Sequence, residues 1–159
     1  MIRNQFGFTL IEMMTVIAII GILAMIAVPS MMERIVQEQL VIALPLADIA
    51  KKPIAASWAS SQAFPTDNAS LGLPNADKVV SNLVRSLAVE DGVIHLTFGN
   101  KAHSAISGKI LSFRPAVVED APIVPIAWVC GNATAPDKMA VKGTNKTTVA
   151  AKFLPSGCR

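Results

Sequence analysis

Apolar residues crowd the front of the chain without periodicity. From Met13 to Met32, twenty consecutive residues carry no formal charge. At about 1.5 Å rise per residue, a helix of that length covers roughly the 30 Å hydrocarbon core of a bilayer. Past Met32 the pattern changes. Glu33, Arg34, Gln37, Glu38 and Gln39 interleave with Ile35, Val36, Leu40 and Ile42, which predicts an amphipathic continuation of the helix that buries one face. Pro29, Pro45 and Pro53 each remove an amide donor and crowd the preceding turn, so the helix is expected to bend or locally melt at these places. The stretch from Phe64 to Pro74 is dense in turn formers; it ends the helix near Ser60 or Ser61 and predicts a loop. Strand-like runs follow at Leu83–Val89, Gly92–Phe98, Lys109–Pro115 and Ile126–Cys130, with Glu90-Asp91-Gly92 as a tight hairpin turn. The expected fold class is therefore α+β: a long N-terminal α-helix, membrane-spanning in its first half, packed on a four-stranded antiparallel sheet. The boundaries expected are a hydrophobic helix over 8–32, its amphipathic continuation over 33–61, a helix-to-sheet loop over 62–82, the sheet over 83–130 and a C-terminal loop over 131–159.

Composition agrees with a two-part molecule. The 159 residues are 52% hydrophobic, and the mean hydropathy of +0.51 is high for a water-soluble chain. The net charge of +3 is too small to demand an anionic partner. Two cysteines, Cys130 and Cys158, fall beyond the apolar segment. A disulfide closing a loop of about 29 residues would contribute ~3.6 kcal/mol in the chain-entropy treatment; two unpaired buried thiols are the alternative. No Cys pair or Cys/His cluster has metal-ligand spacing, and no cofactor motif is present. His95 and His103 lack a nucleophilic or metal-binding context and read as solvated or packed residues, and Lys51-Lys52 as a solvated helix face. A cleaved secretory signal is excluded by the length of the apolar run, by Glu12 at its front and by the lack of an A-x-A site. A plain membrane anchor explains the length and leaves Glu12 unexplained.

The string Gly7-Phe8-Thr9-Leu10-Ile11-Glu12, followed by the long apolar run, resembles the class III signal of type IV pilins and related pseudopilins. The resemblance implies that a prepilin peptidase cuts between Gly7 and Phe8 and methylates the new N-terminal Phe8. The leader would be residues 1–7, with Arg3 its single basic residue, as in the short leaders of the type IVa subgroup. It also implies a role for Glu12, whose carboxylate in that family pairs with the N-terminal amine of a neighbouring subunit. The physics is compatible: a carboxylate near hydrocarbon is costly alone, and an opposite charge offsets that cost only when the subunits are correctly staggered. Gly21, Ala18, Ala24 and Ala27 would let neighbouring helices approach closely, or are apolar filler.

The second half carries the resemblance too. Asp91-Gly92-Val93-Ile94, Gly99-Asn100-Lys101-Ala102, Ser112-Phe113-Arg114-Pro115, Ile126-Ala127-Trp128-Val129-Cys130 and Phe153-Leu154-Pro155-Ser156-Gly157-Cys158 are similar to the head of type IVa major pilins. That family implies a disulfide between Cys130 and Cys158 bounding an exposed, variable loop. Pseudopilins of type II secretion generally lack that bridge and use a calcium-binding loop, for which the C-terminal region has no dense Asp/Asn cluster. The family's tyrosines are missing: Ser30, Met31, Met32 and Trp58 occupy their neighbourhoods, so an aromatic conduction path has little support. The implied function is that of the structural subunit of a retractable type IV pilus serving adhesion, twitching motility and DNA uptake. The alternatives are a minor pilin acting as DNA receptor or tip adhesin, or a type II secretion pseudopilin. The chain would be a substrate of an enzyme and not an enzyme. Implied partners are other copies of itself, the prepilin peptidase, the assembly platform, minor pilins and, before assembly, the inner membrane of a Gram-negative bacterium, from which the subunit passes into an extracellular filament. DNA has only Lys138, Lys142, Lys146 and Lys152 in its favour, and these read better as solvated charge.

Overall fold

The structure is a computed structural model that describes residues 7–159, and the backbone alone for residues 27–30. The expected leader, with Arg3, lies outside the described residues except for Gly7. The chain divides into two compact units, Met1–Ile35 and Val36–Arg159, and each has its own physical logic.

In the first unit the helix α1 (Leu10–Ala43) begins immediately after Thr9. Its apolar side chains point outward all round: Leu10, Ile11, Ile17, Ile22, Met25 and Ile26 are all exposed, as is Phe8 just before it. An 18-residue window of this helix has a mean hydropathy of 2.5 and none of it is buried. A surface of that kind needs a non-aqueous surrounding, either lipid or other apolar helices. The α1 assignment runs across Pro29 without interruption.

In the second unit the helical segment resolves into three pieces. α1 ends at Ala43, the residues Leu44–Ala47 tighten into a 3₁₀ turn around Pro45, and α2 (Asp48–Ser61) follows with Pro53 inside it. Pro45 sits in the first turn of the 3₁₀ piece, where its missing amide is tolerated. The end at Ser61 falls where the turn formers begin, and Gln62 closes it in the left-handed region (φ 53°), donating its N–H to the Trp58 carbonyl over 2.9 Å. Val36, Leu40, Ala43, Ala47, Ala50, Ile54 and Trp58 are buried, at spacings of three and four that place them on one face. Ile35 and Ile42, which the pattern had assigned to the buried face, are exposed. At 100° per residue, Ile42 stands on the far side of the helix from Leu40.

Four antiparallel strands run in the order β1 (Val84–Glu90), β2 (Val93–Phe98), β3 (Ile110–Val117), β4 (Ala127–Cys130). Each lies within two residues of the expected boundaries. A short β5 (Ala140–Val141), absent from the sequence reading, pairs with the far end of β3; two residues are too few to leave a period-2 signal. The β1–β2 turn places Asp91 and Gly92 both at positive φ, 48° and 78°, between the paired Glu90 and Val93. That is the geometry of a two-residue type I′ hairpin, whose twist matches the strands and for which Asp-Gly is favoured. Leu87, Val89, Ile94, Leu96, Phe98, Leu111 and Phe113 join the buried helix stripe in one core. The opposite sheet face carries His95 paired with Ser112 and is covered by the C-terminal loop.

Candidate functional site

At the N-terminus three hydrogen bonds define the local geometry. The Thr9 backbone N–H and its hydroxyl both donate to Glu12 Oε2, at 2.8 and 2.7 Å. The Glu12 N–H returns to Thr9 Oγ1 at 3.3 Å. This reciprocal T-x-x-E arrangement is a capping box, in which residues at the first turn satisfy one another's orphan donors. Glu12 also lies where the positive end of the helix dipole favours an anion. Thr9 therefore belongs to the same site as Gly7, Phe8 and Glu12, although the sequence reading singled out only the other three. Phe8 is exposed, and the space around Gly7 is open.

In the second unit Cys130 and Cys158 form a disulfide with an S–S distance of 1.99 Å, which resolves the choice between a bridge and two thiols. It closes the C-terminal loop, whose start is anchored by the Asn132 N–H donating to the Cys158 carbonyl at 2.9 Å. Two helix side chains tie the head loops down: Gln37 Nε2 donates to the Lys152 carbonyl at 3.0 Å, and Gln39 Oε1 accepts from the His103 N–H at 2.8 Å. The edge of β1 is closed by a single side chain. Asn68 Oδ1 accepts from the Val89 N–H at 2.7 Å while Asn68 Nδ2 donates to the carbonyls of Leu87 and Pro74, each at 3.0 Å. The buried amide thus imitates one peptide unit of a further strand, which removes an open edge.

The charged residues are more engaged than the sequence indicated. Lys51 pairs with Asp48 at 2.8 Å and sits 5.1 Å from the Phe113 ring centroid, so it does more than solvate a helix face. Lys142 and Lys146 are ion-paired with Glu119 and Glu90, and Lys152 lies over the Phe153 ring. The hydrogen bond from Lys146 holds Glu90 below the usual carboxylate range, and Lys142 does the same for Glu119. Asp67 is lowered by the Ser70 backbone and hydroxyl donors in its turn. His95 is buried and packed; burial pushes its pKa down against the opposing pull of Glu90. His103 accepts from the Ala105 N–H through Nδ1 at 3.1 Å. Among the described residues no group of three His, Cys, Asp or Glu side chains could hold a metal ion.

Comparison with known proteins follows the same division. A family described as pilin, a bacterial filament protein, matches residues 39–159, and the prokaryotic N-terminal methylation motif matches residues 2–28. A type IV major pilin protein PilE of Neisseria gonorrhoeae is 34% identical, covering 98% of this chain and 94% of the relative. A fimbrial protein of Neisseria meningitidis serogroup B is 31% identical with the same coverage of both chains. The fimbrial protein EcpC of Eikenella corrodens is 32% identical over 98% of this chain and 91% of its own length.

Proposed function

The chain belongs to the bacterial pilin family, and we propose that within it this protein is the repeating structural subunit of a type IV pilus, built for adhesion and for movement by filament retraction. The observation that carries this reading is the similarity to type IV major pilins along 98% of the chain, which spans the methylation motif and the disulfide-closed head together. The subunit is held by its apolar helix in the inner membrane until it enters the filament, with copies of itself as its main partners. DNA uptake, if served by the same filament, draws on surface lysines that are partly neutralised by Glu90 and Glu119.

Processing comes first. The prepilin peptidase cuts between Gly7 and Phe8 and methylates Phe8; the open surroundings of Gly7 support access to this bond. In the membrane Glu12 is not a bare charge, because Thr9 places two donors on Oε2. Both bonds use the same oxygen, which leaves Oε1 for the Phe8 amine of a neighbouring subunit. An ammonium at that position offsets desolvation only in the correct axial stagger, so the pair sets register while exposed Ile, Leu, Met and Val side chains supply the contact area. The assembly platform and minor pilins act on this processed form. Mass spectrometry of sheared filaments tests the reading: the expected dominant component is this chain beginning at N-methyl-Phe8 with its disulfide intact. An intact Met1 in filaments would refute the processing, and a trace abundance would refute the structural role.

A further inference from the structure

The C-terminal loop crosses the outer face of the sheet as a strap. At one end the Lys142 N–H donates to the Pro115 carbonyl at 2.8 Å; at the other the Thr148 N–H donates to the Ile110 carbonyl at 2.9 Å. The Pro115 carbonyl points to the β2 side of β3 and the Ile110 carbonyl to the β4 side, so residues 142–147 pass over the strand. Gly143 lies directly on Val93, with no room for a Cβ. Beneath the strap His95 and Ser112 are buried and joined, Nδ1 to Oγ, at 2.9 Å. The Lys146 N–H donates to the same Ser112 Oγ at 3.0 Å, and Thr147 Oγ1 accepts from the Ser112 N–H at 3.1 Å. Lys146 Nζ reaches down to Glu90 at the end of β1, whose Oε2 stands 4.0 Å from His95 Nε2.

Ser112 Oγ accepts from the Lys146 N–H, and with a hydrogen and a second lone pair it can donate to an unprotonated His95 Nδ1 or accept from a protonated one, while Nε2 faces Glu90. We propose that His95 is a proton-operated latch for the strap: acid puts a charge on the buried imidazole beneath it, draws Glu90 away from Lys146 and frees residues 142–147, while the disulfide keeps the loop tethered. Protonation acts on the ion pair that holds the strap: the new imidazolium competes with Lys146 for Glu90 while repelling the ammonium. The charged groups facing the ring are Glu90 from β1 and Lys146 from the strap. Arg114, the next residue on that face of β3, turns its guanidinium to the Gly131 carbonyl at 3.1 Å, and Val93 and Thr97 beside His95 on β2 are uncharged.

The direction of the pH dependence follows. Burial lowers the His95 pKa from its ordinary 6.5, so the closed strap binds fewer protons than the open one. Closure is complete above 6.5 and is lost as pH falls from there toward the depressed value. Glu90, lowered from 4.5 by Lys146, adds a second loss only below 4.5.

Hydrogen exchange on the full-length, disulfide-intact chain in detergent micelles tests the latch between about pH 7.5 and about pH 5, with intrinsic exchange rates divided out. The Lys146 and Thr148 amides are expected to lose protection by up to about tenfold per pH unit below about 6.5, while amides central to β2 and β3 hold theirs. His95→Asn keeps an oxygen acceptor near the Nδ1 position and cannot take the proton; its strap protection is expected to stay level over the same range. A level wild type, or an equal pH response in His95→Asn, overturns the proposal. Should that variant not fold, an NMR titration of the His95 ring in the unaltered protein decides: coincident midpoints for ring protonation and strap opening support the latch, and separated midpoints overturn it.

Discussion

Asn68 is the residue on which the closure of the sheet edge depends, and its removal has a calculable cost. Asn68→Ala leaves the Val89 N–H and the Leu87 carbonyl, now bonded at 2.7 and 3.0 Å, without partners in a buried setting. An orphaned buried group costs about 1–3 kcal/mol; allowing for water entering the space vacated, the expected loss is about 3 kcal/mol. At about 4 °C per kcal/mol for a unit of this size, that lowers the melting midpoint by roughly 12 °C. Asn68→Asp is the sharper perturbation. It keeps the acceptor for Val89 but sets an anionic oxygen against the Leu87 and Pro74 carbonyls, so at neutral pH it should cost at least as much as alanine. Its carboxyl would have a folded pKa above the unfolded one, and stability should recover as pH falls and the protonated oxygen regains a donor. Both tryptophans, Trp58 and Trp128, lie in the second unit, so urea titration of the full-length chain in micelles followed by indole fluorescence reads that unit. Wild-type stability of Asn68→Asp at neutral pH would refute the account.

Three further outcomes can be checked on the same material. Cys130→Ser should lower head stability by about 2–5 kcal/mol, and an unchanged urea midpoint after reduction of the wild type would contradict it. Gly143→Ala should cost more than Gly108→Ala: both glycines have φ near the same positive value (78° and 74°), but only at 143 does the added carbon meet a neighbour, the Val93 side chain; the overpacking adds about 1–3 kcal/mol, and equal urea midpoints would sink that reasoning. Glu12→Gln should insert in the membrane and leave the head's urea midpoint unchanged, since glutamine also completes a capping box, while filament yield by shearing falls to a small fraction; filaments at wild-type yield would refute the charge pairing.

Much of the fold is legible because its signals are long and redundant. Twenty uncharged residues, a hydrophobic stripe over six turns and an Asp-Gly hairpin each exceed what one residue could overturn. What escaped the sequence depends on long-range contact. Ile42 looked as buried as Leu40 until the sheet chose a face. β5 exists only because β3 extends beyond β2 and offers the Ala116 and Val117 positions to the returning chain. His95 and Ser112 are 17 residues apart and meet only through the β2–β3 register. Lys146 read as a solvated charge because Glu90, 56 residues earlier, gives no local sign of being its partner.

The N-terminal site shows the opposite case, a partner that was in plain view. Thr9-x-x-Glu12 is a capping box readable from four residues, whereas the pairing that the family resemblance implies for Glu12 lies in a neighbouring subunit. The intramolecular bonds change the energetics of that meeting. A solitary subunit in lipid holds its carboxylate with two donors from Thr9, so the driving force for the proposed pairing would be not the full cost of a naked charge but the difference between a capped carboxylate and one that also touches an ammonium. A smaller difference suits the proposed retractable filament, whose subunits would have to come apart. If the neighbour's amine supplied the only compensation, extraction of each subunit during retraction would leave an uncompensated charge in hydrocarbon. On the proposed function, with Thr9 in place the departing carboxylate would fall back on its own chain, and assembly and disassembly would share one partly satisfied intermediate. Thr9→Val, which removes the hydroxyl and keeps the volume, is therefore expected to slow retraction more than assembly, measured as the ratio of the two rates in single-filament traction, and an unchanged ratio would refute this role for Thr9.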